Sequence, residues 1–360
     1  MRCGVSRLIL IRGGWCELCV FCNGRVKNFI PSIAQCTCTG RANVDAGRVI
    51  PANAIISAVL PAYLLILLGA AFRKSRILRP EHDEPLMHAV YSVMYPCFIL
   101  DKILGSAALK QGSVVGWSLG IGFCELLVGM AVGIVVGRWI QLQKGAGLRT
   151  FAFSVGIQNF GFTAIPIVQA LYGAAAVSVL MVHNLGVELS IWTFGVMVMS
   201  NDKQIPWKKL INGPAVSVVV GLLLVALGLD GYFTGPVREM MRWLGSGAFP
   251  LALVVTGAIM IDMVRAEKPS LRIAVVGSIL RLGVIPMIIL AVAKYFPLSL
   301  ELKQVLIVQA AMPAAMSPLL IAKLYGGRPG IAAQIIVVTT LLSLLTLPWI
   351  IAFGMRWVLG

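Results

Sequence analysis

Apolar runs long enough to cross a lipid bilayer follow one another along most of the chain. A helix needs about 20 mostly apolar residues to span a hydrocarbon core of roughly 30 Å. Of the 360 residues, 59% are hydrophobic and only 12% are charged, whereas a soluble domain carries about 25% charged residues. The sequence therefore predicts an all-α integral membrane protein with many transmembrane helices.

Ten spans are predicted after residue 51, and the sixth is the shortest. They are Ala52–Phe72, Leu86–Ser106, Val114–Ile140, Phe151–Tyr172, Ala175–Met199, Pro214–Leu229, Met240–Met263, Ile273–Tyr295, Lys303–Tyr325 and Ile331–Trp357.

The distribution of Lys and Arg orients these spans. The loops after spans one, three, five, seven and nine hold fifteen Lys and Arg residues, and the opposite side holds seven. Cytoplasmic loops carry the excess of positive charge, so we expect a multi-pass protein of the cytoplasmic membrane with both termini outside. The net charge of +16 is then a topology signal. Nucleic-acid binding is a poor interpretation, because the basic residues are spread over short loops.

Two of the predicted spans contain residues that break helices. The fourth includes QNFGFTAIPIVQALYG, with Gly161 and Pro166, and the ninth includes QAAMPAAMSPLLIAKLYGG, with Pro313 and Pro318. Proline removes a backbone donor and clashes with the preceding turn. Unwound backbone is tolerated at membrane depth only where it lines a cavity or is buried by protein. Both breaks therefore indicate a site for a solute.

The two broken spans occupy matching places in two halves of the chain. Residues 52–199 and 213–360 each hold five spans, and a short cytoplasmic linker, residues 200–212, joins them. Because five is an odd number, the second half enters the membrane from the opposite side. An inverted repeat with one interrupted helix in each half is typical of secondary transporters with a site near the bilayer midplane.

The breaks also suggest what the solute is. Each half-helix start carries about +0.5 of a charge, and two starts that converge make an anion site without a buried cation. The candidate substrate-binding residues are Asn159, Gly161, Thr163, Pro166, Gln309, Pro313, Ser317 and Pro318. We expect Thr163 to cap the second half of span four. Ser317 and Pro318 are expected to be the N-cap and the first residue of the second half of span nine.

Ionisable residues inside spans are a second group of candidates. Glu188 and Arg281 lie near the middle of spans five and eight, which favours a buried ion pair; in the alternative interpretation Glu188 binds a coupling proton. His183 and Asn184 lie about one turn from Glu188 on the same helix. A lone histidine there is more often a satisfied packing residue than a proton relay.

Glu125 lies in span three beside three glycines spaced four residues apart: Gly129, Gly133 and Gly137. This spacing predicts a close helix-packing face. No nucleophile set, phosphate-binding loop or metal-ligand spacing stands out in the spans, so we expect no enzyme activity, no cofactor and no metal.

Residues 1–51 do not fit the membrane pattern. They hold six of the eight cysteines: Cys3, Cys16, Cys19, Cys22, Cys36 and Cys38. The spacing does not match an iron–sulfur run or a standard zinc site, and a signal peptide would need a longer apolar core. We expect a disordered leader or an extension of the gene model.

Several segments together resemble the auxin efflux carrier family of membrane transporters, which is related in fold to the bile acid:sodium symporters. They are LPAYLLILLGAAFRKSRIL, MYPCFIL, QNFGFTAIPIVQALYG, FPLALVVTGA, LRLGVIP, MPAAMSPLLIAKLYGG and VVTTLLSLLTLPW. The resemblance covers the chain from Pro51 to its end. It implies ten helices in two inverted repeats, with broken helices four and nine crossing at Pro166 and Pro318. Helices 1, 2, 6 and 7 would form a scaffold, and the other six would move against it like an elevator. A homodimer could form through the scaffold helices.

Two features depart from the plant auxin exporters. The segment between the halves is short, as in bacterial members linked to malate or malonate transport, and the motif PAAMSP lacks the amide that many relatives carry there. The sequence thus predicts a secondary active or potential-driven carrier of small organic anions such as carboxylates. Two alternatives stay open: a sodium- or proton-coupled uptake symporter for dicarboxylates, and a non-transporting membrane sensor on the same fold.

Overall fold

The structure is a computed structural model that describes residues 7–11, 14–18, 52–142, 145–200, 211–266 and 270–360. The chain divides into two compact units, Met1–Asn43 and Val44–Gly360. In the first unit, β1 (Arg7–Ile11) and β2 (Gly14–Leu18) form an antiparallel pair in which Arg7 lies opposite Leu18. Most of the predicted leader lies outside the described residues, so its interpretation stays a prediction.

The described part of the second unit is helical. Its first half contains α1 (Ala52–Lys74), α2 (Asp83–Ala89), α3 (Tyr95–Ile103), α4 (Gly112–Trp139), α5 (Ala146–Gly156), α6 (Ala164–Ser190) and α7 (Val196–Ser200). Its second half contains α8 (Gly213–Ala226), α9 (Gly235–Ser246), α10 (Ala248–Ala266), α11 (Leu271–Ile279), α12 (Ile285–Tyr295), α13 (Leu300–Ala311), α14 (Ser317–Leu324) and α15 (Pro329–Gly354). Turns of π-helix connect α2 to α3, α6 to α7 and α11 to α12, and one follows α15; they are Val90–Met94, Ile191–Gly195, Leu280–Val284 and Met355–Leu359.

Six helical stretches in the described residues are long and apolar enough to cross a membrane. They are Asn53–Lys74, Gly112–Trp139, Ala164–Ser200, Gly235–Met263, Leu271–Tyr295 and Pro329–Leu359. A shorter apolar helix covers Gly213–Ala226. The chain is therefore a multi-pass helical membrane protein. Described helices fall within each of the ten predicted stretches, while the ten crossings and their inverted arrangement stay predictions.

Burial separates central helices from those that face the surroundings. In its most apolar window the stretch that contains α6 is 61% buried, compared with 33% for α1 and for α4. Large apolar side chains on outer surfaces are exposed, as Leu67, Val135 and Leu345 show. Apolar surface of this extent is what a lipid environment accommodates.

Gly173 divides α6 into two parts, between the predicted fourth and fifth spans. Its φ of 79° and ψ of −167° interrupt the helix. A positive φ is readily adopted by glycine and strained for other residues. The chain can therefore change direction at this residue and begin the long buried part of α6.

Glycines also set the closest helix contacts. A Cβ atom on Gly129 would lie 2.6 Å from the carbonyl oxygen of Gly156, and one on Gly133 would lie 2.7 Å from the Cα of Ala152. The predicted packing face on α4 is thus confirmed, and α5 is the helix that packs against it. A similar contact joins α1 to α10, where a Cβ on Gly257 would come within 1.8 Å of the carbonyl oxygen of Ile66.

Candidate functional site

The first break separates α5 from α6. The helix α5 ends at Gly156, residues 157–163 are not helical, and α6 begins at Ala164 with Pro166 in its first turn. The 11 residues of α5 rise about 16 Å at 1.5 Å per residue. This length is close to half of the roughly 30 Å core of a bilayer, so the break lies near mid-depth if α5 begins at the membrane surface.

The second break separates α13 from α14. The helix α13 ends at Ala311 after 12 residues, or about 18 Å, and α14 begins at Ser317. Ser317 is the first helical residue and Met316 is the N-cap, so the predicted cap is one residue too late. The proline keeps its predicted role, because Pro318 lies in the first turn, where its missing N–H costs nothing.

The two unwound segments pair with each other through their backbones. Gln158 and Ala314 form an antiparallel bridge. The amide of Asn159 donates to the carbonyl of Pro313 at 2.8 Å, and the amide of Ala315 donates to the carbonyl of Ile157 at 3.1 Å. Backbone groups freed by a break must find partners inside the protein at membrane depth. Each break is thus partly satisfied by the other, and the two breaks cross at this point.

Two amide side chains hold the first break. The carbonyl oxygen of Phe160 accepts from Nδ2 of Asn184 at 2.9 Å and from Nε2 of Gln309 at 3.3 Å. Gln309 also donates to Oδ1 of Asn184 at 3.3 Å, and its own Oε1 has no hydrogen-bond partner among the described residues. The structure therefore brings together Asn184 and Gln309, which the sequence assigned to two different groups.

Asn159 and Thr163 form a small polar unit at the start of α6. Nδ2 of Asn159 donates to Oγ1 of Thr163 at 2.9 Å, and Asn159 is half-buried. Thr163 stands at the predicted N-cap position but has helical angles and makes no side-chain cap. Its hydroxyl oxygen accepts the hydrogen bond from Asn159 instead. No side-chain cap covers the first turn of α6. The amide of Ile165 donates to the carbonyl of Gly161 at 3.0 Å and Pro166 has no N–H, so the N–H of Ala164 is the helical donor left for another partner.

The start of α14 has the same character. Met316 provides no side-chain cap, and the buried Oγ of Ser317 has no hydrogen-bond partner among the described residues. Two side chains bond to the backbone of the second break. Nε of Arg281 donates to the carbonyl of Met312 at 3.2 Å, and Oγ1 of Thr339 accepts from the amide of Ala314 at 3.2 Å.

The structure does not bring Glu188 and Arg281 together. Oε2 of Glu188 accepts from Nδ2 of Asn212 at 3.0 Å, and the aromatic residues of α3 and its preceding turn lie beside it. Arg281 instead reaches the second break, and its electrostatic partner is Glu125. The predicted pair fails because the position of each residue within its span says nothing about which way its side chain faces.

Glu125 and Gln158, which lie beside the first break, were not among the candidate site residues, and His183 was expected to be a packing residue. Oε2 of Glu125 accepts from Nε2 of Gln158 at 2.6 Å and lies 3.1 Å from Nε2 of His183. Glu125 and His183 both lie near the middle of predicted spans, which was the available signal. Because glycines lie beside Glu125, this part of span three was interpreted as a helix-packing face.

The arrangement can bind an anion at the crossing. Two uncapped helix starts supply backbone N–H groups and partial positive charge. The side chains of Asn159 and Ser317 lie at those starts and can add hydrogen bonds. Gly161, Pro166, Pro313 and Pro318 provide the unwound backbone and its boundaries.

Comparison with known proteins indicates a membrane transporter. A family model described as "Membrane transport protein" matches residues 54–205 and 196–351. A protein named as an uncharacterized transporter from Methanocaldococcus jannaschii is 24% identical over 298 residues, which cover 80% of this chain and 95% of that protein. Another uncharacterized transporter, from Methanothermobacter thermautotrophicus, is 22% identical over 296 residues, which cover 81% of this chain and 95% of that protein.

The two family matches together span almost all of the helical unit and include both breaks. The chain therefore belongs to the membrane transport protein family, the family of the auxin efflux carriers.

Proposed function

We propose that the protein is a secondary transporter that carries small organic anions, such as carboxylates, across the cytoplasmic membrane. The single observation that supports this most strongly is the crossing of the two breaks. Their backbones pair through Asn159 with Pro313 and Ile157 with Ala315, beside two helix starts without side-chain caps.

The polar groups at the crossing favour an anion over a cation. Uncapped N–H groups at helix starts and the side-chain amide of Asn159 can donate hydrogen bonds, which carboxylates accept. The described residues nearest the breaks also include the buried cation Arg281. A cationic solute would meet the positive ends of two helix dipoles and would be repelled.

Transport requires that the crossing reach each side of the membrane in turn. In our proposal ten helices form two inverted repeats, and the six helices around the crossing move against a scaffold that includes α1 and α10. The close glycine contact between α1 and α10 supports a rigid scaffold, because packed backbones resist relative displacement. A homodimer through this scaffold belongs to the same proposal.

The direction of transport depends on the charge of the solute. An outward-moving monoanion gains about 2.3 kcal/mol per 100 mV from an inside-negative potential. Export can therefore run without a coupling ion, whereas uptake of a dicarboxylate needs protons or sodium.

The test is transport by purified protein in proteoliposomes. Labelled indole-3-acetate, malonate and malate serve as probes, and labelled choline and glycerol serve as cationic and neutral controls. Gradients of voltage, pH and sodium are imposed one at a time. We expect saturable movement of at least one carboxylate and none of choline. Movement of choline without any carboxylate would refute the anion assignment and leave the family membership intact.

A further inference from the structure

A buried cluster of ionisable groups lies against the first break. Oε2 of Glu125 accepts from Nε2 of Gln158 and lies 3.1 Å from Nε2 of His183, whose side chain is 0% exposed. The contact between Glu125 and His183 is short but is not aligned as a hydrogen bond. Neither ring nitrogen of His183 nor Oε1 of Glu125 has a hydrogen-bond partner in the described part of the chain. Buried polar groups without hydrogen-bond partners are rare in folded proteins, and a functional role is one explanation for them.

Arg281 is the charged group that faces this cluster from the second half of the chain. It is fully buried, and both terminal nitrogens of its guanidinium lack hydrogen-bond partners among the described residues. Arginine stays charged in proteins, and a buried charge needs a compensating one. The Glu125 carboxylate supplies it through the electrostatic interaction between the two side chains.

Among the other ionisable groups of the surrounding helices, Tyr95 of α3 lies nearest, since it hydrogen-bonds to Asn184, the residue next to His183. Arg138 is near the end of α4, Arg149 is near the start of α5, and Lys303 is near the start of α13. Glu188 is five residues from His183 along α6, on a different face, and bonds to Asn212. With Glu125 and Arg281 balancing each other, the remaining group is His183. Histidine is the side chain that normally changes charge between about pH 5 and 8.

Gln158 connects this cluster to the candidate anion site. Successive residues in an extended segment point to opposite sides. Gln158 reaches Glu125 on one side, and the next residue, Asn159, reaches Thr163 at the start of α6 on the other. The two sites are therefore separated by only the backbone of the first break.

We propose that His183, positioned by Glu125, takes up one proton for each anion bound at the crossing, so that the carrier is proton-coupled. This inference rests on the proposed function. The proton comes from a hydronium ion, whose O–H bond breaks as one N–H bond forms on the imidazole, and no bond in the protein breaks. The net charge of the cluster changes from zero to +1. A unit charge within about 10 Å of a bound anion, at an effective dielectric constant of about 20, would tighten anion binding by at least about tenfold.

The coupling is reciprocal, because binding free energies are linked. A bound anion makes the proton easier to take up by the same factor as the proton makes the anion easier to bind. The carrier would then cross the membrane preferentially with both ligands or with neither.

The first test measures pH-driven transport in proteoliposomes with labelled malonate as the probe. The membrane potential is clamped at zero, with the outside at about pH 5.5 and the inside at about pH 7.5, which bracket histidine protonation. We expect the unmodified protein to accumulate malonate. His183→Gln and Glu125→Gln should lose this accumulation, and their exchange of malonate at equal pH should continue with an affinity about tenfold weaker. The matched control is His88→Gln, an exposed histidine near Ser92, which should behave like the unmodified protein.

Two outcomes of this test overturn the inference. One is malonate accumulation that ignores the pH gradient in the unmodified protein. The other is retention of pH-driven accumulation by His183→Gln, particularly if Glu188→Gln abolishes it, because the proton would then reside on Glu188.

The second test needs no substrate and separates this inference from the proposed function. The chain has three histidines, so replacing His82 and His88 by glutamine leaves one imidazole to observe by nitrogen NMR in detergent. We expect the nitrogen signals of the His183 ring to report proton uptake as the pH is lowered, and Glu125→Gln should alter this response. A ring in one protonation state throughout overturns the inference even if malonate is transported. A titrating ring without malonate transport supports the proton site and counts against the proposed anion. This test also decides the matter if His183→Gln does not fold.

Discussion

Single amide side chains hold the unwound backbone of the crossing in place. The carbonyl of Phe160, freed by the first break, accepts from Asn184 and Gln309. An unpaired carbonyl at this depth would cost several kcal/mol, roughly, so these amides make the break tolerable. Asn159 differs from them because its side-chain amide donates to the side chain of Thr163 and to no backbone carbonyl of the break.

This difference predicts the effect of Asn159→Leu. Leucine has similar volume but cannot donate to an anion, and a hydrogen bond to a charged group is worth about 1.5–3 kcal/mol. We expect the affinity for a transported carboxylate to fall about 10- to 150-fold, with little change in thermal stability. Concentration-dependent uptake into proteoliposomes measures this directly.

The matched control is Asn53→Leu, the same change on an exposed residue at the start of α1. It should leave affinity unchanged. Wild-type affinity in correctly folded Asn159→Leu would instead make the first break a structural kink only.

Ser317→Ala should act in the same direction as Asn159→Leu but less. The hydroxyl is buried without a partner, yet the uncapped N–H groups of α14 and the geometry set by Pro318 persist in the variant. We expect a loss of affinity of about fivefold, as for one neutral hydrogen bond. No loss in Ser317→Ala beside a large loss in Asn159→Leu would place the anion on the first break alone.

The residues of the breaks were predictable because glycine and proline act locally. Gly161, Pro166 and Pro318 favour helix boundaries through local backbone effects, although Pro61 and Pro348 lie inside the continuous helices α1 and α15. The contact of Glu125 with Gln158 and His183 was not predictable, because it joins α4, the first break and α6. Sequence spacing fixes which residues share a face of one helix but not which faces of three helices meet.

Among the helices, the closest contact is between α1 and α10. Gly69 and Gly257 each place backbone where a side chain would stand: a Cβ on either residue would lie 1.8 Å from a carbonyl oxygen of the other helix. Neither backbone can move away without separating the two helices. Contacts of this kind let dispersion forces and carbonyl dipoles act along the whole length of a helix pair.

Gly257→Ala should therefore destabilise the protein. Overpacking of a tight contact costs about 1–3 kcal/mol, and the overlap is with backbone, which cannot rotate away. We expect a lower midpoint of thermal unfolding in detergent, followed by tryptophan fluorescence.

The control for this change is Gly120→Ala, on the exposed side of α4, where nothing lies within 4 Å of an added Cβ. It should leave the midpoint unchanged or raise it slightly, because alanine favours helices. Equal midpoints for the two variants would show that α1 and α10 are not tightly packed in the membrane.

The helices themselves were largely predictable from apolar length, since lipid demands helices of about 20 residues. Their interruptions were less so. The structure divides the predicted seventh span between α9 and α10 and inserts turns of π-helix in the second, fifth and eighth. Such turns depend on how neighbouring helices press on one another, which a single run of sequence does not contain.

For the whole molecule, the orientation in the membrane is the broadest prediction. Positive charge in the loops places Lys208 inside and Lys110 outside. Single cysteines at these positions, in a background with the eight natural cysteines replaced, should be labelled by an impermeant reagent from opposite sides of intact cells. Lys208 lies outside the described residues. The reverse labelling pattern would contradict both the orientation and the inverted repeat.

The N-terminal segment is expected to be dispensable. Deleting residues 1–48 and supplying a new methionine should leave insertion and transport unchanged, because both breaks and all six long apolar helices lie after this point. Membrane fractionation and carboxylate uptake measure the two properties. Loss of folded protein on this deletion would show that the cysteine-rich segment is part of the structure.

The pairing of the two breaks has a consequence for the order of synthesis. Ile157 and Asn159 leave the ribosome long before Ala315 and Pro313, with which their backbone groups pair. Until the second half is made, those groups sit at membrane depth without their final partners, a state that lipid penalises. We therefore expect water in the cavity or the insertion machinery to provide temporary partners for these backbone groups while the second half is being made. These temporary partners are replaced when the ninth predicted span, which contains Pro313 and Ala315, is complete.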